Sequence, residues 1–187
     1  MPLVNCTISP IPVLRHTGML YIINSKPLAN ELRYNPTTFA EWVGAITKDA
    51  TGIELTANGA EYCIATLPLL VPLKSFMKYG LLFNVVSSTL SFPLFAPAGI
   101  TTFGNYAQLT KNVGNYKTTV LSNVVNVPAF SFVVQNVESA GNKIKIKDVR
   151  VFELFPGSQL EQDFMYLSAD ELNAKYSIVT GSDGRTL

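Results

Sequence analysis

Short apolar runs separated by turn residues fill the middle of the chain, from residue 52 to about residue 155. They follow one another at the spacing of roughly 8–14 residues that is typical of strands in sandwiches and barrels. Parallel α/β folds need a crossover helix between successive strands, and the pattern contains no such helices. The sequence therefore predicts an all-β domain built from antiparallel strands.

The clearest strand pattern is the run 143–154, in which apolar and polar residues alternate. Ile144 and Ile146 share one parity, whereas Val149 has the other. One extra residue in a strand produces such a switch, so we expect a β-bulge at Lys147–Asp148. The lysines of this run are then expected on the solvent-exposed face of the strand.

Three local patterns predict individual elements. The run 81–86 is apolar on both faces, which indicates a strand that is buried on both sides. The pair Asn58-Gly59 between two apolar runs is typical of a β-hairpin turn. Ser168 and Glu171 have the spacing of a capping box and predict a short helix in the tail.

The segments that flank the predicted sandwich differ from it in character. Residues 1–30 contain Pro2, Pro10 and Pro12 and predict an extended N-terminal arm. The arm either pairs with the sheet edge of a neighbouring molecule or covers an edge of its own sandwich. The sandwich is assigned to residues 31–155, of which 31–50 fit a helix or a strand, and a C-terminal extension to 156–187.

The charge of the chain is low and balanced. Charged residues make up 14% of the chain and the net charge is +1, whereas average chains contain about 25% charged residues. Nucleic-acid binding would need a basic stripe, so it is not expected. The apolar stretch 64–73 is broken by two prolines and is too short to cross a bilayer, so membrane insertion is not expected either. A neutral surface suits a subunit of an assembly.

Residues for catalysis or metal binding are few and scattered. His16 is the only histidine, and with Cys6 and Cys63 it shows no zinc-ligand spacing. The carboxylates that could support hydrolysis do not fall into pairs. They are Glu54, Glu61, Glu138, Asp148 and Glu153. The sequence therefore predicts a protein that is not an enzyme and has neither a cofactor nor a metal site.

Three aromatic residues are candidates for ligand or interface contacts. Tyr106 and Tyr116 lie in a region rich in Gly, Asn and Thr, and Trp42 precedes the predicted sandwich. Exposed aromatic rings stack on sugar rings, with a few polar groups fixing the orientation. Packing within the protein is the alternative role for all three.

The stretch from about residue 52 to 155 resembles the galactose-binding-like jelly roll of carbohydrate-binding modules and of bacteriophage virion proteins. The resemblance is carried by Val71-Pro72-Leu73-Lys74, by Tyr79-Gly80 before the run 81–86, and by the run 143–154, which looks like the closing strand of these domains. It covers a little over half of the chain. It implies an antiparallel jelly-roll β-sandwich, here with an extended N-terminal arm and a short C-terminal extension containing a small helix.

The same resemblance implies two roles. The first is a structural subunit of a tailed-bacteriophage virion, as a capsid auxiliary, head-fibre, tail or baseplate component. Such a subunit contacts other virion proteins and copies of itself, and it is made in the host cytoplasm. The alternative is a carbohydrate-binding module or host-surface adhesin that binds a host-surface glycan. Location in the head or the tail and the oligomeric state stay open.

Overall fold

The computed structural model describes residues 45–49, 52–97, 99–123 and 127–176. The strands are β1 (Ala45–Asp49), β2 (Gly52–Thr56), β3 (Cys63–Leu73), β4 (Lys78–Ser88), β5 (Ile100–Thr102), β6 (Asn105–Tyr106), β7 (Gly114–Ser122), β8 (Val127–Val134) and β9 (Lys143–Glu153). The helices are α1 (Gln159–Tyr166) and α2 (Ala169–Lys175). All strand pairs in these residues are antiparallel.

Two sheets form the sandwich. Seven strands make the large sheet, in the order β1-β2-β9-β4-β7-β5-β6, and β3 pairs with β8 in the small sheet. The predicted jelly-roll β-sandwich with a small C-terminal helix is confirmed. The predicted arm, residues 1–30, lies outside the described residues, and the predicted domain limits stay predictions.

The small sheet is widened by two short segments that follow β4 and β6. The backbone of Phe95 exchanges two hydrogen bonds with Val133 in β8, at 3.0 and 2.9 Å. On its other side, the segment 94–96 bonds to the segment 107–110, for example from the Leu109 N–H to the Leu94 carbonyl at 2.7 Å. The layer opposite the large sheet is therefore broader than its two regular strands.

The main core lies between the two sheets and follows the alternation of the strands. Leu81, Phe83 and Val85 of β4 point inward and are buried against the small sheet. The ring of Phe132 meets those of Phe83 and Phe130 edge to face, with centroids 5.2 and 5.3 Å apart. Such aromatic pairs add roughly 0.5–1.5 kcal/mol beyond the burial of their area.

The two helices cover the central part of the outer face of the large sheet. Leu82 and Phe152 point outward and pack against Leu160, Phe164 and Leu172, forming a second buried cluster. The run 81–86 is apolar on both faces because β4 is buried by the small sheet on one side and by helices on the other. The predicted two-sided burial of this strand is thus confirmed for residues 81–83, whereas on the outer face Asn84 is half-buried and Val86 is exposed.

A glycine in β4 lets α1 approach the sheet closely. A Cβ atom built on Gly80 would lie 2.5 Å from the ring of Phe164, closer than real Cβ contacts allow. Phe164 also packs on Phe152, with ring centroids 5.4 Å apart. The absence of a side chain at Gly80 therefore makes room for the ring that anchors α1.

Polar contacts tie the helices to the sheet around this apolar cluster. The guanidinium of Arg150, which is buried, donates to the Tyr176 carbonyl and to Asn173 Oδ1. The ammonium of Lys117 donates to the carbonyls of Phe164 and Leu167 at the end of α1. Cations are favourable at this end of a helix because its last carbonyl groups point outward.

Two of the local predictions are confirmed. The pairing of β4 with β9 shifts register between Leu82 and Asn84, and Asp148 adopts a left-handed backbone conformation with φ of 52°. This is the β-bulge expected in the run 143–154. Ser168 and Glu171 form the expected capping box, which starts α2.

The predicted hairpin at Asn58-Gly59 is wrong. Strand β2 pairs with β1 and β9, whereas β3 pairs with β8, so the turn links strands of different sheets. The turn chemistry is nevertheless as expected. Gly59 has φ of 82°, and Asn58 Oδ1 accepts from the N–H groups of Ala60 and Glu61. A tight turn was therefore predicted correctly, but the pairing of its flanking strands was not.

Candidate functional site

Three loops meet at the end of the sandwich where β4 ends and β9 begins. They are residues 57–62, 88–95 and 135–142. The first and third are joined by hydrogen bonds between Ala57 and the turn residues Gly141 and Asn142, at 2.9 and 2.8 Å. These loops carry an exposed apolar surface, which we call the aromatic end. It consists of Tyr62, Phe92, Phe95 and Val137.

The side chains of the aromatic end are partly exposed to solvent. Tyr62 is 46% exposed, Phe92 43% and Val137 61%. The ring of Tyr62 meets the half-buried ring of Phe95 edge to face, with centroids 5.9 Å apart. Exposed apolar groups that adjoin one another, as these two rings do, are a feature of surfaces that bind ligands or partners.

The loop that carries Phe92 is held by a buried carboxylate. Glu138 is 1% exposed, and its Oε2 accepts from the backbone N–H groups of Ser91 and Phe92 at 2.8 and 2.9 Å. Its Oε1 accepts from Asn142 Nδ2 at 2.7 Å and from the Ser139 N–H at 3.2 Å. The Glu138 side chain thereby links the loop 88–95 to the loop 135–142.

These hydrogen bonds also set the protonation state of Glu138. Burial alone raises the pKa of the carboxyl, but the donors from Asn142, Phe92, Ser139 and Ser91 outweigh it and lower the pKa below the usual 4.5. The carboxylate form is therefore the one that the folded protein stabilises at neutral pH.

Further contacts and polar side chains border the same surface. Lys111 Nζ donates to the Ser91 carbonyl, and Gln135 Nε2 donates to the Pro93 carbonyl at 3.2 Å. Glu61, Gln108 and Asn136 are exposed. The arrangement offers apolar ring surface beside hydrogen-bonding groups, which is the composition of a site for a ligand with both apolar and polar faces.

The two predicted aromatic residues that the structure describes lie in strands of the large sheet. Tyr116 is partly buried in β7, and its ring packs on Phe83 with centroids 5.1 Å apart. Burial raises the pKa of the Tyr116 hydroxyl, with a hydrogen bond to Thr118 acting in the opposite direction. Tyr106 lies in the edge strand β6, and Trp42 lies outside the described residues. Their roles as ligand or interface residues stay predictions.

The sequence patterns did not single out the residues of the aromatic end. Tyr62, Phe92 and Phe95 lie on two loops about thirty residues apart, and the jelly-roll connections bring them together. Between residues 90 and 95, only Phe95 makes strand-like bridges, and Phe92 lies on the loop that precedes Pro93. Pro93 is the sequence signal that favours a loop at Phe92, and loops are where binding residues concentrate.

Within the part of the chain that the structure describes, no three His, Cys, Asp or Glu side chains cluster as metal ligands would. In the same residues, neither helix is long and apolar enough to cross a membrane.

Comparison with known proteins found similarity in solved structures alone. No family model and no curated protein matches the sequence. Among the similar structures, CBM29_1, a family 29 carbohydrate-binding module from Piromyces equi, has 10% identity, a TM-score of 0.45, and covers 71% of this chain and 92% of its own. A CBM29-2 mutant complexed with mannohexaose has 9% identity, a TM-score of 0.43, and covers 77% and 94%. A CBM4 structure has 14% identity, a TM-score of 0.41, and covers 60% and 90%. All three are carbohydrate-binding modules.

Proposed function

We propose that this domain is a non-catalytic carbohydrate-binding module whose glycan site is the aromatic end. The observation that supports the proposal is the set of exposed rings on loops that are cross-linked by a buried carboxylate. A sugar presents an apolar face of C–H groups and a rim of hydroxyl groups. The rings of Tyr62 and Phe92 can cover the first, and the exposed side chains of Glu61, Gln108 and Asn136 can bond to the second.

The rigidity of the site is part of the argument. Binding costs less when the contacting side chains are already held in place, because little conformational entropy is lost. Tyr62 rests on Phe95, whose backbone is paired with β8, and Phe92 follows Ser91 on a loop segment whose amides bind Glu138. The Tyr62 ring and the backbone that carries the Phe92 ring are therefore set by the sandwich before any ligand arrives.

The test is calorimetric titration of the protein with a panel of mannohexaose, cellohexaose and galactose. We expect at least one sugar to bind. For that sugar, Tyr62→Ala and Phe92→Ala should each weaken binding about 5- to 30-fold, which corresponds to roughly 1–2 kcal/mol per ring.

Phe155→Ala is the matched control. Phe155 is 49% exposed, close to the 46% of Tyr62, but it lies at the other end of the sandwich, after β9. Its removal should leave the affinity unchanged. Equal losses of affinity in all three variants would mean that the sugar binds to exposed apolar surface in general. A wild type that binds none of these sugars would argue against the proposal.

A second candidate function is the virion subunit that the sequence predicts, acting through protein–protein contacts. The observation that favours it lies at the opposite end of the sandwich, where Phe76 is 76% exposed, Phe103 56% and Phe155 49%. Lys78 links this region, because its ammonium lies 5.1 Å from the Phe103 ring centroid and its carbonyl accepts from the Leu154 N–H at 2.9 Å. Exposed aromatic groups of this size are enriched in subunit interfaces.

Light scattering of the whole chain at several concentrations tests this candidate. An assembly subunit should show a defined oligomer that the double variant Phe76→Ala, Phe155→Ala shifts toward monomer. The same experiment on a chain without residues 1–30 tests the predicted role of the arm. A monomer at all concentrations, with or without these changes, would speak against the assembly function.

A further inference from the structure

The segment 89–93 is connected to the rest of the sandwich largely through side chains. The Ser91 and Phe92 N–H groups both donate to Glu138, the Ser91 carbonyl accepts from Lys111, and the Pro93 carbonyl accepts from Gln135. Two consecutive amides at the centre of the segment thus depend on one carboxylate. The backbone that carries the Phe92 ring is accordingly placed by Glu138.

We infer that Glu138 is a positioning residue of the proposed glycan site, fixing the ring of Phe92 relative to Tyr62 and Val137 without touching the sugar. The inference rests on the proposed function for its effect on binding. The structural part of the inference, that Glu138 holds the loop, does not depend on that function, because the hydrogen bonds of Glu138 can be followed with no ligand present. The side chain is 1% exposed, which leaves no surface for direct contact with a sugar.

The groups around the Glu138 carboxylate allow acid to weaken its hydrogen bonds. Its four donors, from Ser91, Phe92, Ser139 and Asn142, are all neutral groups. Among the charged residues of the adjoining segments, Glu61 is exposed, the Lys111 ammonium bonds to a carbonyl, and the Lys143 ammonium bonds to Glu54 at 3.2 Å.

Once Glu138 is protonated, it has lost its negative charge and one of its oxygens carries a hydrogen. It can then no longer accept charge-assisted hydrogen bonds from both loops. The folded pKa is lowered below 4.5. Stability from these bonds is therefore present above the unfolded value and is lost as the pH falls through the lowered folded value. The segment should stay ordered at pH 5 and loosen only in stronger acid.

The variant Glu138→Gln tests this with amide hydrogen exchange measured by nuclear magnetic resonance. Its amide group keeps the size of the side chain but has one acceptor oxygen where the carboxylate has two. In either orientation its NH₂ group faces the N–H donors of one loop, and its neutral oxygen accepts more weakly than a carboxylate oxygen from the other. We expect exchange at the Ser91 and Phe92 amides to rise at least tenfold, while the amides of Leu81 and Phe132 in the core keep their wild-type rates. Affinity for the sugar that binds the wild type should fall about tenfold, or roughly 1.4 kcal/mol.

Glu171→Gln is the control that removes the same charge elsewhere. Glu171 lies in the capping box of α2, where glutamine is also compatible with the motif. This variant should change neither the exchange at Ser91 and Phe92 nor the affinity. Unchanged exchange in Glu138→Gln, or faster exchange with unchanged affinity, would overturn the inference.

The wild type supplies a second measurement in case Glu138→Gln does not fold. On acidification, the Ser91 and Phe92 amide signals should titrate together at a pH below 4.5, before the core amides change, and signals that move only with global unfolding would overturn the inference. If the wild type binds no sugar, the proposed function fails, and the two amides alone decide whether Glu138 positions the loop.

Discussion

Around β4 the two faces of the large sheet are both buried, but by different means. On the inner face, Leu81 and Phe83 meet aromatic and aliphatic side chains of the small sheet in a fully apolar core. On the outer face, Leu82 lies in a smaller apolar cluster under the helices, and that cluster is bordered by Arg150, Lys117 and Asp163. The inner interface is stabilised by the burial of apolar area, whereas the outer interface combines apolar packing with directed polar contacts.

The difference shows how the sandwich and its helical cover are specified. An apolar core tolerates many combinations of residues, provided that volume and alternation are kept. A buried arginine or aspartate is costly unless its partners are in place, so the outer interface permits few alternative arrangements. We therefore expect the inner face to determine how stable the domain is and the outer face to determine where the helices sit.

The largest effect is expected from Phe132→Ala on the inner face. The ring is completely buried and contacts Phe83 and Phe130. Its removal leaves a cavity and should lower the free energy of unfolding by about 3–5 kcal/mol. Urea unfolding followed by circular dichroism measures this. A loss below about 1 kcal/mol would mean that the region is not a close-packed core.

A smaller effect is expected from Gly80→Ala on the outer face. The new methyl group would overlap the Phe164 ring, so the unfolding free energy should fall by about 2 kcal/mol as α1 is displaced. A double-mutant cycle with Phe164→Leu sharpens the test, because the smaller side chain makes room for the methyl group. Additive losses would show that α1 does not pack on Gly80 in the way described.

The smallest effect is expected from Asp163→Asn. The buried carboxylate accepts from Lys175 Nζ at 2.6 Å, from the Tyr176 hydroxyl and from Gln159 Nε2 at 2.9 Å. An asparagine keeps an acceptor oxygen but loses the charge, which should cost about 1 kcal/mol at neutral pH.

This difference between wild type and Asp163→Asn should depend on pH. Burial raises the pKa of Asp163, but the hydrogen bonds from Lys175, Tyr176 and Gln159 outweigh it and lower the pKa below the usual 3.8. The contribution to stability is therefore present above pH 3.8 and is lost as the pH falls through the lowered folded value. Unfolding curves of both proteins between pH 7 and pH 2.5 measure it, and a difference that grows in acid would contradict this account.

Much of the sandwich could be predicted from sequence because its determinants are local. Alternation in the run 143–154 located β9 and its bulge, and apolar residues on both faces of the run 81–86 indicated a strand that is covered twice. The capping box at Ser168 located α2. The pairing of β2 and β3 was mispredicted, since Asn58-Gly59 specifies a turn but not the sheet to which each flanking strand belongs.

Helix α1 and the candidate site show where local reasoning stops. Helix α1 was not predicted, although its sequence carries a capping signal. Ser158 and Glu161 have capping spacing, and the Ser158 hydroxyl accepts from the Glu161 N–H at 3.2 Å. The site had no such signal. Glu138 and Phe92 are separated by 46 residues and meet only after the loops are brought to one end by the fold. Neither residue is marked by its neighbours in sequence.

The most direct test of the central claim is a ¹⁵N chemical-shift map of the protein during titration with the best-binding sugar of the panel. The account predicts that the largest shifts fall on residues 57–62, 88–95 and 135–142, with none at Phe76 or Phe155. Shifts concentrated at the opposite end of the sandwich or on the solvent-exposed part of the large sheet would contradict the assignment of the glycan site to the aromatic end.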